Sequence, residues 1–146
     1  MSITQTLTTN FKVELLQGLH NFGPTSPNTF KIALYTSTAS LSATTTAYFS
    51  TGEVIGTGYT AGGNILTVNV TPTSGSSSGT VAYLGFLDAN WSLATFTAAG
   101  ALIYNATNGN RAVAVLSFGG NKTVSNGVFT VQFPAAGPTT AIVRIA

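Results

Sequence analysis

Apart from one stretch near its start, this chain never sustains a helical period. Its apolar residues alternate in short runs, and most of these runs end at or near glycine, proline or asparagine. Alternation at a period of two is the mark of a strand, and turn residues at near-regular spacing indicate a meander of short strands. The clearest run is Phe30-Lys31-Ile32-Ala33-Leu34-Tyr35-Thr36-Ser37. Phe30, Ile32 and Leu34 share one face, and Lys31, Ala33 and Tyr35 share the other, as in a half-buried strand. Residues 56–63 (Gly-Thr-Gly-Tyr-Thr-Ala-Gly-Gly) follow as a bend, because glycine reaches positive φ without steric cost.

Further strands are expected at 65–70, 80–87, 93–97, 101–104, 112–118, 128–133 and 141–145. The run at 80–87 is apolar on both faces, which predicts burial on both sides. Turns are expected at Asp88-Ala89-Asn90 and Gly119-Gly120-Asn121, and a flexible loop at 72–79. Asn105-Ala106-Thr107-Asn108-Gly109-Asn110 predicts a hairpin, since Asn-Gly supplies the positive φ angles of a tight reversal. The exception to the strand pattern is residues 10–22. There Asn10 offers a cap, Phe11, Leu15, Leu16 and Leu19 form a stripe, and Gly23-Pro24 stops the helix. Residues 2–9 read as a polar arm, mobile or bound to a partner. The fold expected is mainly β: an antiparallel β-sandwich or barrel with one short N-terminal α-helix, in a single domain over residues 1–146.

Charge sets the surface apart. Only 5% of the residues are charged, against about 25% in an ordinary soluble domain. Thr, Ser, Asn and Gln must therefore make the polar surface, without the repulsion that keeps copies apart. This composition suits a protein packed against copies of itself or against a partner. The five basic residues, Lys12, Lys31, Arg111, Lys122 and Arg144, are dispersed, so no nucleic-acid surface is expected. No apolar run approaches the length of a membrane span, no basic and apolar leader opens the chain, and without cysteine there is neither a disulfide framework nor a thiolate metal site.

The residues also argue against catalysis. His20 is the only histidine and reads as a packed or surface side chain, since no acid has a sequence argument for lying beside it. Glu14, Glu53 and Asp88 fall in different elements, which disfavours a paired-carboxylate hydrolase, and no oxygen cluster of calcium-site type is visible. No cofactor is expected. The glycines at 56–63 lack the lysine and the following helix of a phosphate loop.

Segments spread in order over nearly the whole chain carry a resemblance. They are Phe11-Lys12-Val13-Glu14-Leu15-Leu16-Gln17-Gly18-Leu19-His20, residues 30–37, residues 56–63, Gly100-Ala101-Leu102-Ile103-Tyr104-Asn105, Asn110-Arg111-Ala112-Val113-Ala114-Val115-Leu116 and Ala141-Ile142-Val143-Arg144-Ile145-Ala146. Together they resemble a family of small virion structural proteins of tailed bacteriophages. The resemblance implies a non-enzymatic capsid decoration (cement) protein. Such a protein is made in the host cytoplasm and bound outside the major capsid shell, with the major capsid protein and further copies of itself, as a homotrimer, for partners. Ala99 and Ser117 depart from the family pattern, standing where relatives tend to carry a basic and an acidic residue.

Contacts to shell or neighbours are expected from the arm and from the Ser/Thr-rich loop at 36–49, through Ile3, Thr4, Leu7, Leu41, Tyr48 and Phe49, with Tyr59 and Trp91 beside them. The alternative is a tail- or fibre-associated module that recognises a host surface glycan, with Tyr59 and Trp91 stacking on sugar.

Overall fold

A computed structural model describes residues 2–75 and 79–146. It is mainly β: two antiparallel sheets and one short helix, packed as an open sandwich rather than a closed barrel. The elements in chain order are β1 (Thr6–Leu7), α1 (Thr9–Leu16), β2 (Phe30–Tyr35), β3 (Asn64–Leu66), β4 (Val68–Ser74), β5 (Ala82–Phe86), β6 (Ala89–Asn105), β7 (Arg111–Val131) and β8 (Val143–Ile145). The larger sheet has the order β1-β7-β6-β2-β3 and the smaller β4-β5-β8.

The β6–β7 hairpin is the spine. Its loop falls at the expected Asn-Gly, with Gly109 at φ 64° and Asn110 at φ 55°. Asn105 holds the reversal together: its Oδ1 accepts from the backbone N–H groups of Thr107 and Asn108, at 3.0 and 3.1 Å. The two strands are much longer than their sequence runs. The expected breaks at 88–90 and 119–121 lie within or against continuous strand, because irregular pairing absorbs the extra residues. Between the pairs Ala98↔Lys122 and Gly100↔Ser117, Ala99 alone faces residues 118–121, with Gly119 at φ 73° and Gly120 at φ 138°. A bulge of this kind bends a strand without ending it.

Both faces of β2 are buried, so it is not the half-exposed strand its alternation suggests. Phe30, Ile32 and Leu34 join a core with Phe11, Phe22, Leu84, Phe86 and Val143, between the larger sheet on one side and α1 and the smaller sheet on the other. Phe22 stacks on Phe30 with ring centroids 4.1 Å apart. Ala33 and Tyr35 point into a second core with Leu41, Leu102, Tyr104 and Val115, on the opposite face of the same sheet.

Four local expectations are corrected. The run at 65–70 is two strands, since the chain passes from the larger sheet to the smaller at Thr67. The run at 80–87 is buried only at Leu84, Gly85 and Phe86; Ala82 and Leu87 are exposed. Residues 72–74 of the expected loop belong to β4, where Thr73 faces Tyr83, and Ser76–Ser78 lie outside the described residues. Finally, the helix starts earlier and stops sooner than residues 10–22. Thr8, not Asn10, is the cap: its hydroxyl accepts the Phe11 N–H at 3.2 Å, while its own N–H is held by the Val113 carbonyl at 3.0 Å. Pairing with β7 thus decides where α1 begins. Gly18, at φ 75°, ends it beyond Gln17. The shortened helix turns Phe11 and Glu14 inward and leaves Leu16 91% exposed.

Candidate functional site

Seven of the eight expected contact residues divide between the two cores, and Thr4 stays outside them. Residues 2–8 are not a free arm. Ile3 bridges Leu41 in parallel, the Thr4 N–H donates to the Leu41 carbonyl at 2.9 Å, and the Leu41 N–H donates to the Ser2 carbonyl at 3.0 Å. Thr6 and Leu7 then pair with Val115 and Ala114. Together the arm and the 36–49 loop roof the second face of the larger sheet: Leu41 is fully buried, and Ile3, Tyr48 and Phe49 pack around it. Leu7, Tyr59 and Trp91 pack with the other core. Leu41 and Trp91, 0% and 3% exposed, therefore hold the fold and cannot offer a surface. Thr4 is exposed; Ile3, Leu7, Tyr48, Phe49 and Tyr59 are half-buried. The correction has one physical cause. A sheet with two apolar faces must be covered twice, and these aromatic and aliphatic side chains are the cover.

Glu53 fastens that cover to the sheet edge. Its buried carboxyl accepts from the Tyr59 hydroxyl and the Gly62 N–H on one oxygen and from the Tyr48 hydroxyl on the other, each at 2.7 Å. Tyr59 also accepts the Leu34 N–H at 2.9 Å, where β3 no longer pairs with β2. Tyr35 donates to the Phe49 carbonyl at 2.6 Å, and Tyr104 to the Gly62 carbonyl at 2.7 Å. Burial raises the pKa of all four phenols. Those of Tyr48 and Tyr104 are pushed up to about 12, with Glu53 adding to the effect, so they remain hydrogen-bond donors throughout the physiological range.

A second polar knot joins α1 to the hairpin. Glu14 accepts from Arg111 at 2.7 Å, and its other oxygen stands 3.8 Å from His20 Nε2. Asn105, oriented by its two backbone bonds, presents Nδ2 to His20 Nδ1 at 3.1 Å and to Asn28 Oδ1 at 2.9 Å. Nδ1 is thus the acceptor, and the neutral ring carries its proton on Nε2, towards Glu14. An acid does lie beside the histidine after all, brought there because the short helix turns residue 14 inward. Burial lowers the His20 pKa, outweighing the attraction of Glu14. An unfolded histidine protonates near pH 6.5, so below that pH the unfolded chain binds more protons and stability falls. A fall in the urea midpoint as pH drops below about 6.5 is expected, and His20→Gln should remove the histidine part of that slope. An equal slope in wild type and variant would refute this.

What remains outward is a ribbon that is neutral apart from Lys122 at its inner end, with apolar points. In the outer half of β6–β7, Thr97 and Thr123 share a hydroxyl bond of 2.8 Å, Thr130 donates to Asn90 Oδ1 at 2.7 Å, and the Asn126 N–H donates to Thr95 Oγ1 at 3.0 Å. Between the pairs Trp91↔Phe129 and Ala94↔Gly127, Ser92 and Leu93 face Val128 alone. The bulge puts Leu93 at φ 49° with its side chain 81% exposed, opposite Val128 at 61%. Ile55, 96% exposed, leads into the segment that runs alongside, where Thr57 bridges Thr95.

Comparisons of the chain with protein-family models, curated proteins and solved structures gave no match.

Sequence reasoning missed Leu93, Val128 and Ile55, since only the bulge turns Leu93 outward and no residue type announces it. Leu16 had a signal in Gly18, a helix-ending glycine two residues later. Ala99 and Ser117 both line one small cleft with Ile3 and Gly120.

Proposed function

We propose that this chain is a capsid decoration protein of a tailed bacteriophage, non-enzymatic, bound as a homotrimer to the outside of the major capsid shell. The observation that carries the reading is Leu93. A leucine in the left-handed region costs about 1–2 kcal/mol, and an exposed side chain returns none of it within the monomer. Such strain persists where contact with another surface uses it. Val128 beside it, Ile55 along the same ribbon and the uncharged hydroxyls around them make a surface suited to a protein partner: apolar points in a neutral polar field. The ordered resemblance to phage virion proteins supplies the kind of partner. A protein that binds only the assembled shell stabilises that state by mass action, and a trimer gains avidity, because one bound subunit holds the others at high effective concentration. The two rings that a glycan-binding alternative would use are engaged, Trp91 in the core and Tyr59 through its hydroxyl.

The test is the copy number in purified virions, measured by mass spectrometry against the major capsid protein. A ratio near one to one is expected. A few per cent would move the protein to the tail or the vertices, and absence from the particle would overturn the reading. The contact itself is tested by Leu93→Gly. This variant should keep or raise the melting temperature, by relief of about 1 kcal/mol of strain, while shell occupancy falls at least about tenfold. Unchanged occupancy would remove Leu93 from the interface.

A further inference from the structure

The sandwich is open along one side, and that opening has a composition of its own. The outer edge of β7 is covered at its start, by the Ala47 bridge at Arg111 and by β1 at Ala114 and Val115; beyond Val115 no strand among the described residues adjoins it. Beside this edge runs a groove of about 530 Å³ whose apolar wall is Leu116, Phe118, Phe129, Val131, Phe133 and Ile142. It continues into a second cavity of about 280 Å³ under β1, with Leu116 and Ile142 common to both. The arm begins to cover the edge and then departs. The register Thr6↔Val115 brings Gln5 opposite Leu116, and Gln5 Oε1 accepts the Ser117 N–H at 3.2 Å, a side-chain amide in the place of a strand carbonyl. From Thr4 onward the backbone bonds go to Leu41 instead.

We propose that this groove takes an extended segment of another protein, added to β7 as a strand, with apolar side chains at alternate positions and an acidic residue at its end. Unpaired N–H and C=O groups along an edge are satisfied by a strand, and an apolar wall beneath them takes every second side chain. Charge complementarity sets the acidic end. Among the described residues, Lys122 is the one charged side chain lining the larger cavity, Arg144 the one lining the smaller, and no carboxylate lines either. Charge also sets the source. A second copy has no free acidic segment to give: Glu14 is paired with Arg111, Glu53 is enclosed by tyrosines, and Asp88 accepts the Phe133 N–H at 2.9 Å in the β5–β6 connection. The donor is therefore a different protein. This inference rests on the groove alone and stands or falls separately from the capsid reading.

The probe is a labelled peptide of about ten residues, matching the 122–131 edge in length, with alternating valine and threonine and a glutamate at each end. Its lysine-ended analogue is the control. Fluorescence anisotropy should show saturable binding of the acidic peptide, at least about tenfold tighter than the control. Amide resonances of Ser117 and residues 122–131 should shift on titration. Lys122→Glu, at an exposed position, should reverse the preference between the two peptides. Binding of neither peptide, equal binding of both, or a preference unchanged in Lys122→Glu would overturn the proposal. So would a concentration-dependent dimer, seen by light scattering, that Lys122→Glu abolishes, since that would make the occupant a second copy.

Discussion

Gly63→Ala is expected to prevent folding. Gly63 sits at φ 75° at the end of the glycine bend, pressed against β2. A methyl group there would overlap the Ile32 carbonyl oxygen and lie 2.6 Å from the Ile32 carbonyl carbon and 2.8 Å from Ala33 Cα. All three are backbone atoms of a central strand, so no side chain can swing aside to make room. The loss should exceed about 4 kcal/mol, and the variant should be found in the insoluble fraction or lack a cooperative thermal transition. Gly119→Ala is the control. Its φ is 73°, but no atom beyond its chain neighbours stands within 4 Å of the added carbon, so only backbone strain of about 1–2 kcal/mol applies. Equal losses at the two positions would show that close approach to β2 is not what requires Gly63.

Glu53→Ala should cost about 3–5 kcal/mol, because it strands three donors at once: two tyrosine hydroxyls and the Gly62 N–H. Loss of these bonds frees the 48–63 segment from the sheet, so amide exchange should quicken at Leu34, Val54 and Gly62 ahead of the hairpin. Glu53→Gln separates hydrogen bonding from charge. Its oxygen can keep the Tyr59 and Gly62 bonds while its amide donates to a rotated Tyr48 hydroxyl, so the loss should be only about 1 kcal/mol. Equal urea midpoints for the alanine and glutamine variants would mean that the carboxyl acts through charge, not as a shared acceptor.

Much of this fold can be read from residue order because its signals are local. The alternation of residues 30–35, the Asn-Gly loop after Asn105 and the glycines of 56–63 each act within a few residues, and each is found where its chemistry puts it. Failures arise where a distant partner decides. The glycines at 119–120 carry the same local signal as a turn, yet β6 continues to pair on both sides of them, so the outcome is a bulge. Thr8 replaces Asn10 as the helix cap because Val113 holds its backbone. The contact surface was the least legible part. Tyr48, Tyr59 and Trp91 have the composition of interface residues, but their exposure is set by how much sheet needs covering. Leu93 faces outward through one extra residue in β6, which only the register reveals.

The pairing order also bears on how the chain emerges from a ribosome. β1 must wait for β7 and β2 must wait for β6, so both N-terminal strands are complete long before their partners are synthesised. Until residue 105 has left the exit tunnel, Phe30–Tyr35 has two apolar faces and little to pair with, namely the three-residue β3 and the bridge from Glu53 to Tyr35. Folding of the larger sheet is in effect postponed until β7 has been synthesised, when the hairpin closes and the waiting strands add to its two sides. During that interval the nascent chain is most exposed to aggregation, and shielding of residues 30–35 by a chaperone would matter most to yield.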